Sequence, residues 1–186
     1  HAVLTIGEVT VRLPRPGLHN VGNALAALAA AEIVGVPRDV AAGGLADAGV
    51  SRWRMEVTTS PDGVVVVNDA YNANPQSTVA AIDTLASIRT DGARWAVLGF
   101  MAELGDQTGP GHRTVGAHLA EAGIDGVVVV ETRAGAIADG AREAGFAGRI
   151  LEAADVGEAT DTIAGLVAAG DVVLVKGSRS VGLEVL

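Results

Sequence analysis

The sequence predicts an α/β fold built on a doubly wound, mostly parallel sheet. From residue 52 onward, short apolar segments with strand composition alternate repeatedly with segments of helical spacing. The inner segments, such as Val64–Val67 and Val127–Val130, are unbroken β-branched runs rather than alternating ones. Strands read that way when helices cover both faces of a parallel sheet. The loops between segments are short, as βαβ units require.

Before residue 52 the pattern differs. Val3-Leu4-Thr5-Ile6 and Val9-Thr10-Val11-Arg12-Leu13 flank Gly7-Glu8 and predict a β-hairpin, closed by Pro14, Pro16 and Gly17. Asn20 to about Val34 carries Leu25, Leu28 and Ile33 at helical spacing and stops at Gly35. Pro37 opens a second short helix that fades near Gly43-Gly44; proline is tolerated there because the first helical N–H has no partner in any case. In the α/β part, Arg54–Thr58 is expected to pair with Val64–Val67 across the turn Ser60-Pro61-Asp62-Gly63. The remaining strands are expected at Ala96–Gly99, Val127–Val130, Ile150-Leu151 and Val172–Lys176. The helices between them should begin at Gln76, at about His112 and at Arg133, with the last spanning Val156–Ala169. The boundary between the two parts is placed at residues 48–52, giving regions 1–48 and 49–186.

The bulk composition narrows the class. The chain has 186 residues, 49% of them hydrophobic, yet no apolar run reaches the ~18 residues of a membrane-spanning helix. No signal-peptide pattern opens it, and it contains no cysteine, so disulfides and thiolate metal sites are excluded and a cytoplasmic location is expected. With 22 acidic against 13 basic residues the formal charge is −9, which argues against nucleic-acid binding. Lys176 is the only lysine. His, Asp and Glu show no metal-ligand spacing, so no metal site is expected within the chain.

In open α/β sheets, ligands bind beyond the carboxyl ends of the strands. Three such segments are polar or glycine-rich: Asn68-Asp69-Ala70-Tyr71-Asn72-Ala73-Asn74-Pro75, Phe100-Met101-Ala102-Glu103-Leu104-Gly105, and Lys176-Gly177-Ser178-Arg179. Pro75 and Asn74 also suit a helix start, but a helix start does not account for the other amides, the carboxylate and the only tyrosine. A lysine and an arginine at a strand end can hold phosphate or carboxylate, arginine through two parallel bonds. His112 fits a helix cap or a packed side chain as well as a base. Asn20 is a plausible N-cap, whereas His19 and Asn23 beside it suggest contact with a base. Neither a G-x-x-x-x-G-K-[ST] phosphate loop nor a G-x-G-x-x-G fingerprint is present, so this segment alone is not expected to be catalytically complete.

Taken in order, Gly17-x-His19-Asn20-x-x-Asn23-Ala24, the Asn68–Pro75 stretch, Leu98-Gly99-x-Met101-x-Glu103-Leu104-Gly105 and Lys176-Gly177-Ser178-Arg179 resemble the Mur ligase family, and within it the branch that adds D-Ala-D-Ala. The His-Asn element is shared more widely, folylpolyglutamate synthetases included; the Asn68–Pro75 and Lys176–Arg179 elements are the more specific. The resemblance implies a Rossmann-like carboxyl-terminal domain, with residues 1–48 forming the tail of a central ATPase domain. The UDP-binding domain, phosphate loop and Mg²⁺ ligands would all lie upstream. It implies ATP and Mg²⁺ as cofactors, UDP-N-acetylmuramoyl-tripeptide and D-Ala-D-Ala as substrates, and a cytoplasmic monomer that contacts neither nucleic acid nor membrane. By the same resemblance His19, Asn20, Asn23, Arg54 and Asp69 would bind ATP. Tyr71, Asn72, Asn74 and Ser178 would bind substrate, and Lys176 and Arg179 would be catalytic. On this reading Lys176→Ala should lower turnover far more than stability. Two departures stand out: Phe100 where relatives often carry an acid, and Ser51-Arg52-Trp53 where a glycine usually precedes Arg54. Competing readings are a folylpolyglutamate synthetase-like ligase, against which Tyr71–Pro75 argues, and a non-catalytic nucleotide- or peptide-binding module.

Overall fold

The computed structural model describes residues 2–6, 9–13, 18–47 and 52–186, and the chain divides into two compact units, 1–51 and 52–186. The predicted turn at Gly7-Glu8, the breakers Pro14, Pro16 and Gly17, and the boundary residues 48–51 lie outside the described residues.

In the first unit, β1 (Ala2–Ile6) and β2 (Val9–Leu13) pair antiparallel, with Ala2 opposite Leu13 and Ile6 opposite Val9. They are followed by α1 (Leu18–Ile33) and α2 (Arg38–Ala46), the latter capped by Pro37. The period-2 and helical patterns each aim one face inward, and Val11, Leu13, Ala24, Leu28 and Ala42 form a small core.

The second unit is a six-stranded sheet. Its strands are β3 (Glu56–Thr59), β4 (Val65–Asn68), β5 (Arg94–Leu98), β6 (Gly126–Val130), β7 (Arg149–Ala153) and β8 (Val172–Lys176). Its helices are α3 (Pro75–Ser87), α4 (Thr108–Ala122), α5 (Ala136–Glu143) and α6 (Val156–Ala164). The strand order is β3-β4-β8-β5-β6-β7; β3 is antiparallel to β4 and every other pair is parallel. Strand β8 is therefore inserted between β4 and β5, with Asn68 beside Val175 and Leu98 beside Lys176.

Successive residues of the inner strands feed two separate cores. Ala96, Leu98, Val127, Val129 and Leu174 pack with Ile82 and Leu85 of α3, Val115 and Leu119 of α4, and Ile137 of α5. On the opposite face Val97, Val128, Val130, Val173 and Val175 meet Ala159 and Ile163 of α6 together with Val181 and Leu183. Burial on both faces explains why these strands lack alternation. Helices α4 and α5 approach closely at Gly116, where a Cβ would come within 2.0 Å of the Ile137 carbonyl oxygen.

Helix α1 begins at Leu18, so Asn20 lies inside it and is not its N-cap, β3 begins at Glu56 and β5 spans Arg94–Leu98; the largest differences from expectation are in three other helices. Helix α4 begins at Thr108 rather than near His112, because Pro110 sits in the first turn, where a missing N–H is harmless. Helix α5 begins at Ala136, after a 3₁₀ turn over Thr132–Ala134 has absorbed the chain. Helix α6 ends at Ala164, where Gly165 closes the last turn.

Candidate functional site

The carboxyl ends of β4, β5 and β8 are neighbours, so the three polar segments singled out in the sequence meet at one edge of the sheet. Lys176 ends β8 with its side chain only 3% exposed. Its ammonium donates to Asp69 Oδ2 at 2.6 Å and to the Asn72 carbonyl oxygen at 2.9 Å. Asp69, at the end of β4, uses its other oxygen, Oδ1, to accept the Met55 N–H at 2.9 Å. A single ion pair thus ties together β8, the loop after β4 and the strand entry at residues 53–55. Both Asp69 oxygens are engaged within the chain, and the lysine faces protein rather than solvent. These contacts build Lys176 into the framework of the edge. Removing the lysine would leave a largely buried carboxylate without its cation, so a loss of stability is expected beside any loss of turnover.

The segment anchored by Asp69 has an unusual backbone. Trp53 and Met55 both adopt left-handed conformations, with φ of 58° and 51°. The Trp53 N–H is held by Glu56 Oε2 at 3.0 Å and its carbonyl accepts the Tyr71 N–H at 3.0 Å. Arg54, between the two, places its guanidinium 4.1 Å from the centre of the Tyr71 ring. Tyr71 is 43% exposed. The Arg179 guanidinium lies 4.0 Å from the Trp53 ring, with Arg52 5.0 Å from the same ring. Arg179 also pairs with Glu184 at 3.1 Å and remains 51% exposed. In a chain of formal charge −9, three arginines therefore converge with two aromatic rings on one edge. Such a surface suits anionic groups and planar rings.

The other nominated residues divide by what holds them. Ser178 is buried; its Oγ accepts the Ala102 N–H at 2.8 Å and its own N–H donates to the Phe100 carbonyl at 2.9 Å, so it fastens the loop after β5. Asn74 caps α3: its Oδ1 accepts the Ser77 N–H at 2.8 Å, and the Ser77 hydroxyl accepts the Asn74 N–H at 3.2 Å, completing a capping box. Asn72 Oδ1 accepts the adjacent Ala73 N–H at 2.8 Å. Asn20 and Asn23 lie on α1 in the first unit, as does the backbone of His19, whose side chain lies outside the described residues.

His112 is fully buried and plays a packing role. Its Nε2 accepts the Met101 N–H at 2.9 Å while Nδ1–H donates to the Thr108 carbonyl at 2.6 Å, which fixes the neutral tautomer. Burial pushes its pKa below the usual 6.5, outweighing the hydrogen bond to Thr108. Phe100 stacks on it at 5.1 Å, and Arg133 covers the outer face of Phe100 at 4.6 Å. This column explains an aromatic residue at position 100, where an acid was expected. Among the described residues no group of three or more His, Asp or Glu side chains could hold a metal ion.

Sequence reasoning missed Glu184 and the part played by Trp53. A tryptophan at positive φ carries no sequence signature, and Glu184 reaches Arg179 only because the chain after β8 folds back in short 3₁₀ turns.

Residues 53–179 match the family model "Mur ligase, glutamate ligase domain". The chain belongs to the Mur ligase family. The UDP-N-acetylmuramoyl-tripeptide–D-alanyl-D-alanine ligase of Bacillus subtilis is 35% identical over 177 residues, covering 95% of this chain and 39% of the relative. Among solved Mur ligases, a crystal structure of MurF from Acinetobacter baumannii superposes with a TM-score of 0.83 at 32% identity, covering 95% of this chain and 38% of that one. MurF from Thermotoga maritima, solved in complex with ADP, gives a TM-score of 0.77 at 31% identity, covering 95% and 39%. The chain spans about two-fifths of the length of the curated relatives it matches.

Proposed function

We propose that this chain is the carboxyl-terminal part of an ATP-dependent amide ligase that adds D-alanyl-D-alanine to UDP-N-acetylmuramoyl-tripeptide, in cytoplasmic synthesis of the peptidoglycan precursor. The observation that carries the reading is the strand-edge cluster of Arg54, Tyr71, Arg179 and the Asp69–Lys176 pair, in a chain that resembles ligases of that name along 95% of its length. Residues 1–48 are assigned to the end of a central ATP-binding domain and residues 49–186 to the third domain. His19, Asn20 and Asn23 are assigned to the adenine side.

In the proposed reaction the γ-phosphoryl group of ATP passes to the terminal carboxylate of the tripeptide, giving an acyl phosphate and ADP. The amine of D-Ala-D-Ala then attacks the acyl carbon. The C–N bond forms, the C–O bond to phosphate breaks, inorganic phosphate leaves and the amine gives up a proton. Such chemistry is accelerated chiefly by positioning and by neutralising spread negative charge. This unit would contribute Arg54 and Arg179 as exposed cations, with the Tyr71 ring as a flat apolar surface. Ser178, Asn72 and Asn74 shape the loops that carry them. Lys176 and Asp69 set the geometry of both arginine-bearing segments. The described residues hold no group of three or more His, Asp or Glu side chains that could bind a metal ion, and the Mg²⁺ ligands are expected from the rest of the ligase.

The test is phosphate release by the full-length ligase with ATP, Mg²⁺ and UDP-N-acetylmuramoyl-tripeptide, with and without D-Ala-D-Ala. Release that requires the dipeptide, and is not supported by D-Ala or glutamate, is expected. Activity with a folate and glutamate instead would place the chain with the folylpolyglutamate synthetases. No release with any amine would favour a binding module.

A further inference from the structure

Trp53 occupies a backbone conformation that glycine adopts freely and other residues adopt only at a penalty, with φ of 58°. A tryptophan held there needs compensation, and the structure shows where it comes from. The indole ring carries Arg179 at 4.0 Å on one contact and Arg52 at 5.0 Å on another, while Glu56 holds the Trp53 N–H. Arg179 is gripped from a second side by Glu184 at 3.1 Å. Stacking engages the face of a guanidinium and leaves its N–H edge available. Glu184 engages Nη1 alone, and among the described residues no other acceptor pairs with the five N–H donors that a guanidinium carries. Glu184 is itself held through its backbone carbonyl, which accepts from Asn68 Nδ2 at 3.3 Å, while its Oε2 is buried without a hydrogen-bond partner among the described residues.

We propose that Trp53 and Glu184 are positioning residues that hold the Arg179 guanidinium in one orientation, edge outward, as the receptor for an oxyanion of the substrates. This rests on the ligase reading above. The oxyanion is either the carboxylate of the incoming dipeptide or a phosphate of the nucleotide; both present a pair of acceptor oxygens to the same two-pronged donor. Trp53 acts without touching the ligand. It restricts a long, flexible side chain before binding and so reduces the ordering required on binding.

The backbone geometry provides a test that separates positioning from bulk stability. Trp53→Gly removes the ring but also relieves the positive-φ strain, whereas Trp53→Phe keeps an aromatic face. In the full-length ligase, Trp53→Gly is expected to raise the KM of one substrate by roughly three- to tenfold, the range expected for losing a partly exposed cation–π contact. Its Tm should stay within roughly 3 °C of the unsubstituted protein because relief of strain offsets lost contacts. Trp53→Phe should recover most of the lost affinity. A rise confined to the KM of D-Ala-D-Ala identifies the carboxylate, and a rise confined to that of ATP identifies the phosphate. Unchanged KM values for both overturn the proposal, as does a uniform fall in kcat and Tm that Trp53→Phe does not rescue.

A second readout needs no turnover. Trp53 is half-exposed and Trp95, the only other tryptophan of these 186 residues, is buried. Titration with ADP or with D-Ala-D-Ala, each alone, should change the emission of the unsubstituted protein and leave that of Trp53→Phe nearly unchanged. If the unsubstituted ligase shows no dipeptide-dependent phosphate release, the functional reading fails, while the titrations still decide whether Arg179 receives an anion beside Trp53. Absence of any emission change with both ligands counts against the proposal.

Discussion

Replacing Lys176 with methionine keeps most of the side-chain volume and removes the charge, isolating the electrostatic role of the buried pair. The ammonium makes two contacts, 2.6 Å to Asp69 and 2.9 Å to the Asn72 carbonyl. Its loss leaves the Asp69 carboxylate with the Met55 N–H and about 15% of its side-chain surface in water. Breaking a buried pair by removing one partner costs about 3–5 kcal/mol. The residual solvation of Asp69 places this case at the lower end, about 3 kcal/mol. For a chain of this size that corresponds to a fall in Tm of roughly 6–12 °C. Adding Asp69→Asn removes the stranded charge, so the double variant should be more stable than the sum of the single losses by about 2 kcal/mol. Both tryptophans lie in the sheet-bearing unit, so urea denaturation followed by their fluorescence reports on it directly. If Lys176→Met lost less than about 1 kcal/mol yet abolished dipeptide-dependent turnover, a framework role for Lys176 would be wrong and a direct catalytic role right.

Three further outcomes follow from single contacts. Asn74→Ala removes half of the capping box on α3 and should destabilise the protein by about 1 kcal/mol in the same urea experiment. Gly116→Ala would drive a methyl group to 2.0 Å from the Ile137 carbonyl, and forcing α4 and α5 apart should cost about 2–3 kcal/mol or give insoluble protein. His112 is held neutral in the fold with a pKa lowered by burial, so the unfolded chain takes up its proton first as the pH falls. The stability it supports is complete above the ordinary value of 6.5 and declines as the pH drops from there toward the lowered folded value. His112→Gln should be less stable at pH 8 but should lose less on going from pH 7 to pH 5, as measured by denaturation at each pH; equal slopes would reject the assignment.

The sequence discloses the architecture more fully than the chemistry. Unbroken valine runs mark strands buried on both faces, and the three polar strand-end segments do converge. The order in which strands pair is not written in such runs, because Val127–Val130 and Val172–Lys176 look alike while one lies nearer the edge and the other at the centre. At the site, residue type identified the surroundings but not the roles. Lys176 drew notice as the only lysine, and its burial against Asp69 depends on a partner 107 positions away. Asn74 read as a substrate residue that could also cap the helix, and the Ser77 contacts show the cap. Trp53 read as a mild departure before an arginine, since the backbone twist that turns its ring toward Arg179 is invisible without coordinates.

The central place of β8 also bears on how the molecule comes into being. Strands β4 and β5 precede it by a long stretch of chain, yet in the finished sheet they touch β8 and not each other. During synthesis, β5, β6 and β7 can begin to associate as they emerge, while β4 lacks its parallel neighbour until residues 172–176 have been made. Pairings between distant segments form late because the intervening chain must first be closed into a loop. The lysine that links the two arginine-bearing segments sits at the end of that same strand. A partly made or carboxyl-terminally clipped chain would thus lack the sheet centre and the assembled anion-binding edge together, so maturation of the fold and of the site would be a single event.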